Sequence, residues 1–163
     1  MPEYAELHCL SNFTFLRGAS HPEELVKKAQ ELGYRALALT DECSLAGVVR
    51  AHVAAQKYHL PLIIGSEFSL TNGPKLVLLA TSRYGYRSLT RLVTQARSTT
   101  PKGQYRLVAD DMTREALTDC LVLILCSLES TPSHTSADYY RTLEQNAGWL
   151  SELLPNRIWI GVE

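Results

Sequence analysis

At 163 residues, 45% hydrophobic and 20% charged, the chain is long enough to bury the core of one domain. Its formal net charge of −1 excludes both the global basic field of a general nucleic-acid binder and the acidic excess of a disordered tail. Met1-Pro2-Glu3 lacks the flank and apolar segment of a signal peptide, and no apolar run approaches the ~20 residues of a membrane span, so a cytoplasmic chain is expected. Four cysteines, Cys9, Cys43, Cys120 and Cys126, show no CxxC spacing and read as reduced, mostly buried thiols.

Along the chain the pattern alternates strand and helix. Residues 4 to 9 form a short strand, and Ser20-His21-Pro22-Glu23 carries a capping-box spacing with Pro at the first helical position. The helix it opens places Leu25, Ala29 and Leu32 on one face and closes at Gly33. A nearly continuous apolar strand over 36 to 40, a helix over 44 to 58 and a strand over 61 to 68 complete a β-α-β-α-β order, which implies parallel strands and right-handed crossovers. Thr71-Asn72-Gly73-Pro74 is the strongest turn signal; it leads to a fourth strand over 75 to 80, with antiparallel pairing on the third open to it, and then a helix over 85 to 97. The second half is less regular: a loop over 98 to 104, a short helix over 110 to 117, a buried strand over 120 to 125 and a polar loop over 130 to 136. A long helix over 137 to 153 and a last strand over 158 to 162 follow. Ending on a strand is an odd finish for a complete domain, and truncation is expected, with an exposed apolar edge around Ile158-Trp159-Ile160.

Three of the apolar runs end on side chains suited to holding a metal: A-E-L-H at His8, A-L-A-L-T-D at Asp41 and L-I-I-G-S-E at Glu67. The C-terminal ends of parallel strands converge, and sites are built there. Imidazole nitrogen mixed with carboxylate suits zinc, manganese or iron bound for hydrolysis. His8, Asp41 with its neighbour Glu42, and Glu67 are therefore the candidate ligands. Each has a plainer account: Asp41 as the N-cap of the second helix, Glu67 as a solvated strand-end residue, His8 as a hydrogen-bonded histidine.

Other residues attract no role. Arg83, Arg87 and Arg91 fall four apart, with Lys102 and Arg106 nearby, but a solvated helix face explains them better than a phosphate stripe. Tyr84, Tyr86 and Tyr105 read as packing-edge residues rather than base-stacking ones, so no nucleic-acid-binding residue is assigned. His21 flanks the first helix's cap, His52 and His59 belong to the second helix and its exit, and His134 sits in a polar loop. Asp110-Asp111 reads as a helix cap, and Ser44 and Ser127 have no His-acid company to make either a nucleophile.

The stretches E-L-H-C-L-S-N-F-T-F-L-R-G-A-S at 6 to 20, A-L-A-L-T-D-E-C-S-L-A-G-V-V at 36 to 49 and P-L-I-I-G-S-E-F at 61 to 68 together resemble the polymerase-and-histidinol-phosphatase (PHP) domain. This domain begins the C-family DNA polymerases, the DNA polymerase III alpha-subunit-like proteins of bacteria. H-C-L-S-N-F with T-D-E-C-S-L-A-G-V resembles the error-prone branch in particular, and the likeness continues through L-V-L-L-A-T-S-R-Y-G-Y-R-S-L-T-R-L-V and the closing P-N-R-I-W-I-G-V-E.

The resemblance implies an α/β fold, a distorted (β/α)7 barrel truncated on its C-terminal side, with residues 1 to 163 a single incomplete PHP domain. It also implies a metal cluster at the strand ends. Metal-binding members begin with an H-x-H pair, matched here by His8 and Leu10; their T-D-H motif is Thr40-Asp41-Glu42; their third acidic ligand matches Glu67, and the remaining ligands lie beyond the last residue. Leucine cannot ligate, so the site is expected to be depleted, with Glu42 compensating in part.

Two functions follow. One is a metal-dependent phosphoesterase, a 3′–5′ exonuclease or pyrophosphatase-like enzyme using Zn²⁺ or Mn²⁺ at His8, Asp41, Glu42 and Glu67. The other, favoured by Leu10 and Glu42, is a mainly structural or partner-binding module of a translesion polymerase. Its partners would be the rest of the polymerase chain, DNA through the full-length protein, and other translesion or replication proteins. The palm and fingers are absent, and with them the acidic residues for the polymerase's Mg²⁺, so the fragment itself is not expected to polymerise.

Overall fold

Period-two alternation decides which side of each strand meets the helices, and here both sides are apolar. The computed structural model describes residues 3–126 and 136–162. Strands β1 (Ala5–Cys9), β2 (Ala36–Leu39) and β3 (Leu62–Ser69) are joined through helices α1 (Pro22–Glu31) and α2 (Val48–Tyr58) and run parallel, as the β-α-β-α-β pattern predicts. The turn at Thr71 to Pro74 sends β4 (Lys75–Ala80) back antiparallel to β3. Helix α3 (Arg83–Ser98) leads to β5 (Cys120–Cys126), antiparallel to β4, and α4 (Ser136–Leu153) to β6 (Ile158–Val162), parallel to β5.

The six strands lie in one sheet in sequence order. Leu37, Leu39, Leu76, Leu78, Val122 and Ile124 point outward and are buried under the helices, with Val26, Ala51, Leu89, Leu92 and Leu150 among their cover. Ala38, Val77, Leu79, Leu123 and Leu125 point to the other, concave side. Both edge strands, through Leu7 of β1 and Trp159 and Gly161 of β6, line one cavity of about 1000 Å³ on that side. The sheet therefore curls toward itself without closing. It is an α/β half-barrel, in keeping with the expected distorted, truncated PHP-type barrel, and Trp159 and Ile160 are half exposed on β6.

Several boundaries differ from the sequence reading. The first helix is capped one residue later than the Ser20 spacing suggests: His21 is the N-cap, Pro22 is the first helical residue, and the Glu24 carboxylate accepts from the His21 N–H at 2.8 Å. Gly33 does end it, at φ +73°. The second helix begins at Val48 with Gly47 as N-cap, so Asp41 is not its cap. Helix α3 starts two residues early because the Ser82 hydroxyl accepts from the Tyr84 and Gly85 N–H groups. Instead of a helix over 110 to 117 there is a single 3-10 turn, Ala109–Asp111, where Asp111 caps the Val108 N–H and also binds Gln95. Such a segment is too short to propagate a helix unaided. Of the polar loop expected over 130 to 136, Ser136 begins α4 and the rest lies outside the described residues, as does Ser127.

Close approach fixes one glycine. A Cβ at Gly85 would lie 2.2 Å from the Asp119 carbonyl oxygen, whereas one at Gly148, on the exposed face of α4, meets nothing within 4 Å. Gly85→Ala should lower the urea-unfolding free energy by about 2 kcal/mol, and Gly148→Ala should raise it by up to about 1 kcal/mol.

Candidate functional site

Glu67 sits on β3 with its side chain wholly buried, and a buried carboxylate stays ionised only when partnered. Its partner comes from the loop between β1 and α1. Arg17 Nη1 donates to Glu67 Oε1 at 2.5 Å and Nη2 donates to Oε2 at 3.1 Å, a two-pronged pairing. The same Nη1 donates to Glu42 Oε2 at 2.8 Å. His8, on β1, places Nε2 2.9 Å from Glu67 Oε2. Burial alone would push the Glu67 carboxyl up; the hydrogen bonds from His8 and Arg17, with the charges of Lys75 and Arg17, outweigh it and hold the group at about 2. The bond to Glu67 in turn pushes the Arg17 guanidinium above its ordinary range, against the effect of its partial desolvation.

Asp41 has a different task. It is 1% exposed. Its Oδ1 accepts from the Ser11 N–H and the Thr14 hydroxyl, and its Oδ2 from the Ser11 hydroxyl, each at 2.7 Å. These bonds staple the β1–α1 loop to the end of β2, and the Thr14 Oγ1 also accepts from the Glu42 N–H at 2.9 Å. The loop then turns tightly enough that a Cβ at Gly18 would lie 1.9 Å from the Ser11 carbonyl oxygen. Phe15 and Leu16 stand at its exposed tip, Leu16 in the left-handed region at φ +66°.

Glu42 is held from the opposite side. Tyr105 donates its hydroxyl to Glu42 Oε1 at 2.8 Å and accepts from the Ser69 N–H at 2.9 Å. Burial, helped by Glu42 and opposed by Ser69, pushes the Tyr105 hydroxyl up to about 12. Arg97 lies over the Tyr105 ring and donates Nε to the Cys43 carbonyl at 2.8 Å. The main chain beneath is tied by a parallel bridge between Glu42 and Glu67.

Of the residues singled out from sequence, His8, Glu42 and Glu67 are thus brought together, and Asp41 lies beside them with its oxygens turned to the loop. Glu67 is neither solvated nor at the end of its strand, because β3 continues to Ser69. Leu10 is half-buried and offers no ligand. Arg17, Ser11, Thr14 and Tyr105 were not singled out as site residues, although Arg17 and Gly18 fall inside the L-R-G-A-S stretch that carries the resemblance. Among the described residues no group of three or more His, Cys, Asp and Glu is disposed to hold a metal. As arranged, the donors do not fit an ion. A guanidinium lies between the two glutamates, and both Asp41 oxygens are taken up by loop hydrogen bonds.

The fold and the strand-end cluster define a PHP-type domain, and the chain belongs to that family: residues 6–163 match the PHP domain model. More particularly, it is a PHP domain fragment related to error-prone DNA polymerases. It is 52% identical to the error-prone DNA polymerase of Dechloromonas aromatica over all of this chain and 15% of that protein, and 52% identical to that of Methylococcus capsulatus over 98% of this chain and 14% of that one. The chain thus spans about one-seventh of the length of these relatives. Two solved structures share the fold at low identity. An amidohydrolase from Chromobacterium violaceum, solved with bound sulfate and no metal, superposes with a TM-score of 0.68 at 14% identity, covering 96% of this chain and 75% of that one. A candidate metal-dependent phosphoesterase from Bifidobacterium adolescentis superposes with a TM-score of 0.62 at 12% identity, covering 88% and 74%.

A carboxyl held at about 2 against an ordinary 4.5 stabilises the fold above pH 4.5, and the contribution is lost as pH falls from 4.5 toward 2. It amounts to roughly 3 kcal/mol at neutral pH. Glu67→Gln should flatten the acid limb of an unfolding free energy measured from pH 6 to pH 2, and lower the plateau. Asp41→Ala, which leaves the buried loop donors unpaired, should cost about 3 kcal/mol at neutral pH.

Proposed function

We propose that this chain is a non-hydrolytic scaffold domain of an error-prone, C-family DNA polymerase, an incomplete PHP half-barrel whose metal-type side chains have been turned to structural use. The observation that carries this reading is Arg17, whose guanidinium joins Glu42 and Glu67 where a hydrolytic centre would need an ion and its activated water. His8, Asp41, Glu42 and Glu67 are then donors of a metal-binding type that now hold protein instead. Leu10 and Glu42, in place of two imidazoles, agree with that change. The likeness to error-prone DNA polymerases suggests the setting: a cytoplasmic polymerase copying damaged templates, with the rest of that chain as the immediate partner and DNA and other translesion proteins reached through it. Among the described residues no helix is long and apolar enough to cross a membrane.

The competing reading is a Zn²⁺- or Mn²⁺-dependent phosphoesterase. Incubation of the purified chain with a 3′-labelled DNA strand, with pyrophosphate and with a phosphodiester chromophore, each with added Zn²⁺ or Mn²⁺, should give no turnover above the protein-free rate. Turnover that disappears in the His8→Ala variant would establish the enzyme instead.

A further inference from the structure

The strand-end cluster has the charge balance of a metal centre with the metal exchanged for a side chain. One atom, Arg17 Nη1, lies 2.5 Å from an oxygen of Glu67 and 2.8 Å from an oxygen of Glu42, so it bridges carboxylates from two segments as a divalent ion would. The imidazole of His8 approaches the other Glu67 oxygen at 2.9 Å. Contracting those carboxylate contacts by less than about 1 Å would reach the 2.0–2.2 Å of a Zn–O bond. The guanidinium is not a surface charge that has strayed inward. Gly18 permits the turn that brings it in, and Asp41 holds Ser11 and Thr14 so that the loop delivers it. Glu42 is the residue that makes the exchange possible, since it presents one oxygen to Arg17 and the other to Tyr105.

We propose that Arg17 is a tethered cation standing in for a metal ion, and that a divalent cation can take its place only once Arg17 is removed and the side chains of His8, Glu42 and Glu67 have drawn in around it. The protein thereby keeps the constellation and its loop assembled without drawing on metal. Arg17 acts here as a positioning residue, working through Glu42 and Glu67. This proposal rests on the non-hydrolytic reading above but fails separately from it. Metal binding by the wild type without turnover would overturn the tethered cation alone, whereas turnover of a phosphoester would overturn the scaffold reading.

The test is thermal unfolding of the full chain in EDTA, in Zn²⁺ and in Mn²⁺, for the wild type and for Arg17→Met and Arg17→Lys. The wild type should melt at one temperature in all three media. Arg17→Met should melt lower in EDTA by on the order of 8 °C, recover part of that loss in Zn²⁺ or Mn²⁺, and bind about one ion per chain by equilibrium dialysis. Arg17→Lys, which keeps the charge and lacks the fork, should melt between the two in EDTA and gain less from metal than Arg17→Met. A wild type stabilised by Zn²⁺ or Mn²⁺, an Arg17→Met chain that gains nothing from either, or a lysine variant no more stable than the methionine one would overturn the proposal. Should Arg17→Met not fold in EDTA, the lysine variant and the wild-type metal titration decide.

Discussion

The buried carboxylate of Glu67 is the constraint around which the strand ends are arranged. A charge placed on a central strand with no access to water must be neutralised close by; β1 supplies the His8 imidazole and β4 the charge of Lys75. The two-pronged partner arrives on a loop. The β1–α1 connection has a glycine where it folds back, two hydroxyl residues that dock on Asp41, and an arginine long enough to reach both glutamates. Asp41 and Arg17 divide the work: one fixes the loop's path, the other completes the charge balance. Neither could be replaced by packing, because the groups involved are polar and, for Asp41 and Glu67, fully enclosed.

Much of the architecture was legible from patterns that local physics controls. The apolar runs at 36 to 40 and 61 to 68, separated by helical spacing, gave parallel strands because both faces of each strand are covered; the Asn-Gly-Pro turn reversed the chain into an antiparallel β4. Element ends were harder. Whether Ser20 or His21 caps α1 depends on the reach of Glu24, and whether Ser44 or Val48 begins α2 depends on how residues 42 to 47 turn away from the cluster. The segment over 110 to 117 has helical residue types but spends its capping carboxylate, Asp111, on a single turn and on Gln95 of α3.

At the site, proximity along one strand end was readable and proximity across a loop was not. His8 and Glu67 each end an apolar run and Glu42 lies one residue past the end of another, and the convergence of parallel strands brings them together without further information. Arg17 lies in a segment with no periodicity, nine residues past His8, and nothing in its spacing tells an arginine that only meets solvent from one whose exposed side chain also reaches a buried carboxylate. Tyr105 comes from still further along, and reaches Glu42 because the segment after α3 packs against the end of β3, where the Tyr105 hydroxyl also accepts from the Ser69 N–H. The bland reading of Asp41 was right in kind and wrong in place: it does satisfy backbone and hydroxyl donors, but those of the preceding loop rather than of the following helix.

The links in this cluster join residues far apart in the chain: His8 to Glu67 across 59 positions, Arg17 to Glu67 across 50, and Tyr105 to Glu42 across 63. Closing such long intervals costs chain entropy before any bond forms, and the buried charges are favourable only once water has left them. The helices and the β3–β4 hairpin can form from local contacts alone. The ionic cluster cannot: His8, Arg17, Glu42 and Glu67 meet only where β1, β2 and β3 are already paired, and Tyr105 joins them only where the segment after α3 has packed against the end of β3. An intact cluster therefore reports that these distant segments are in register.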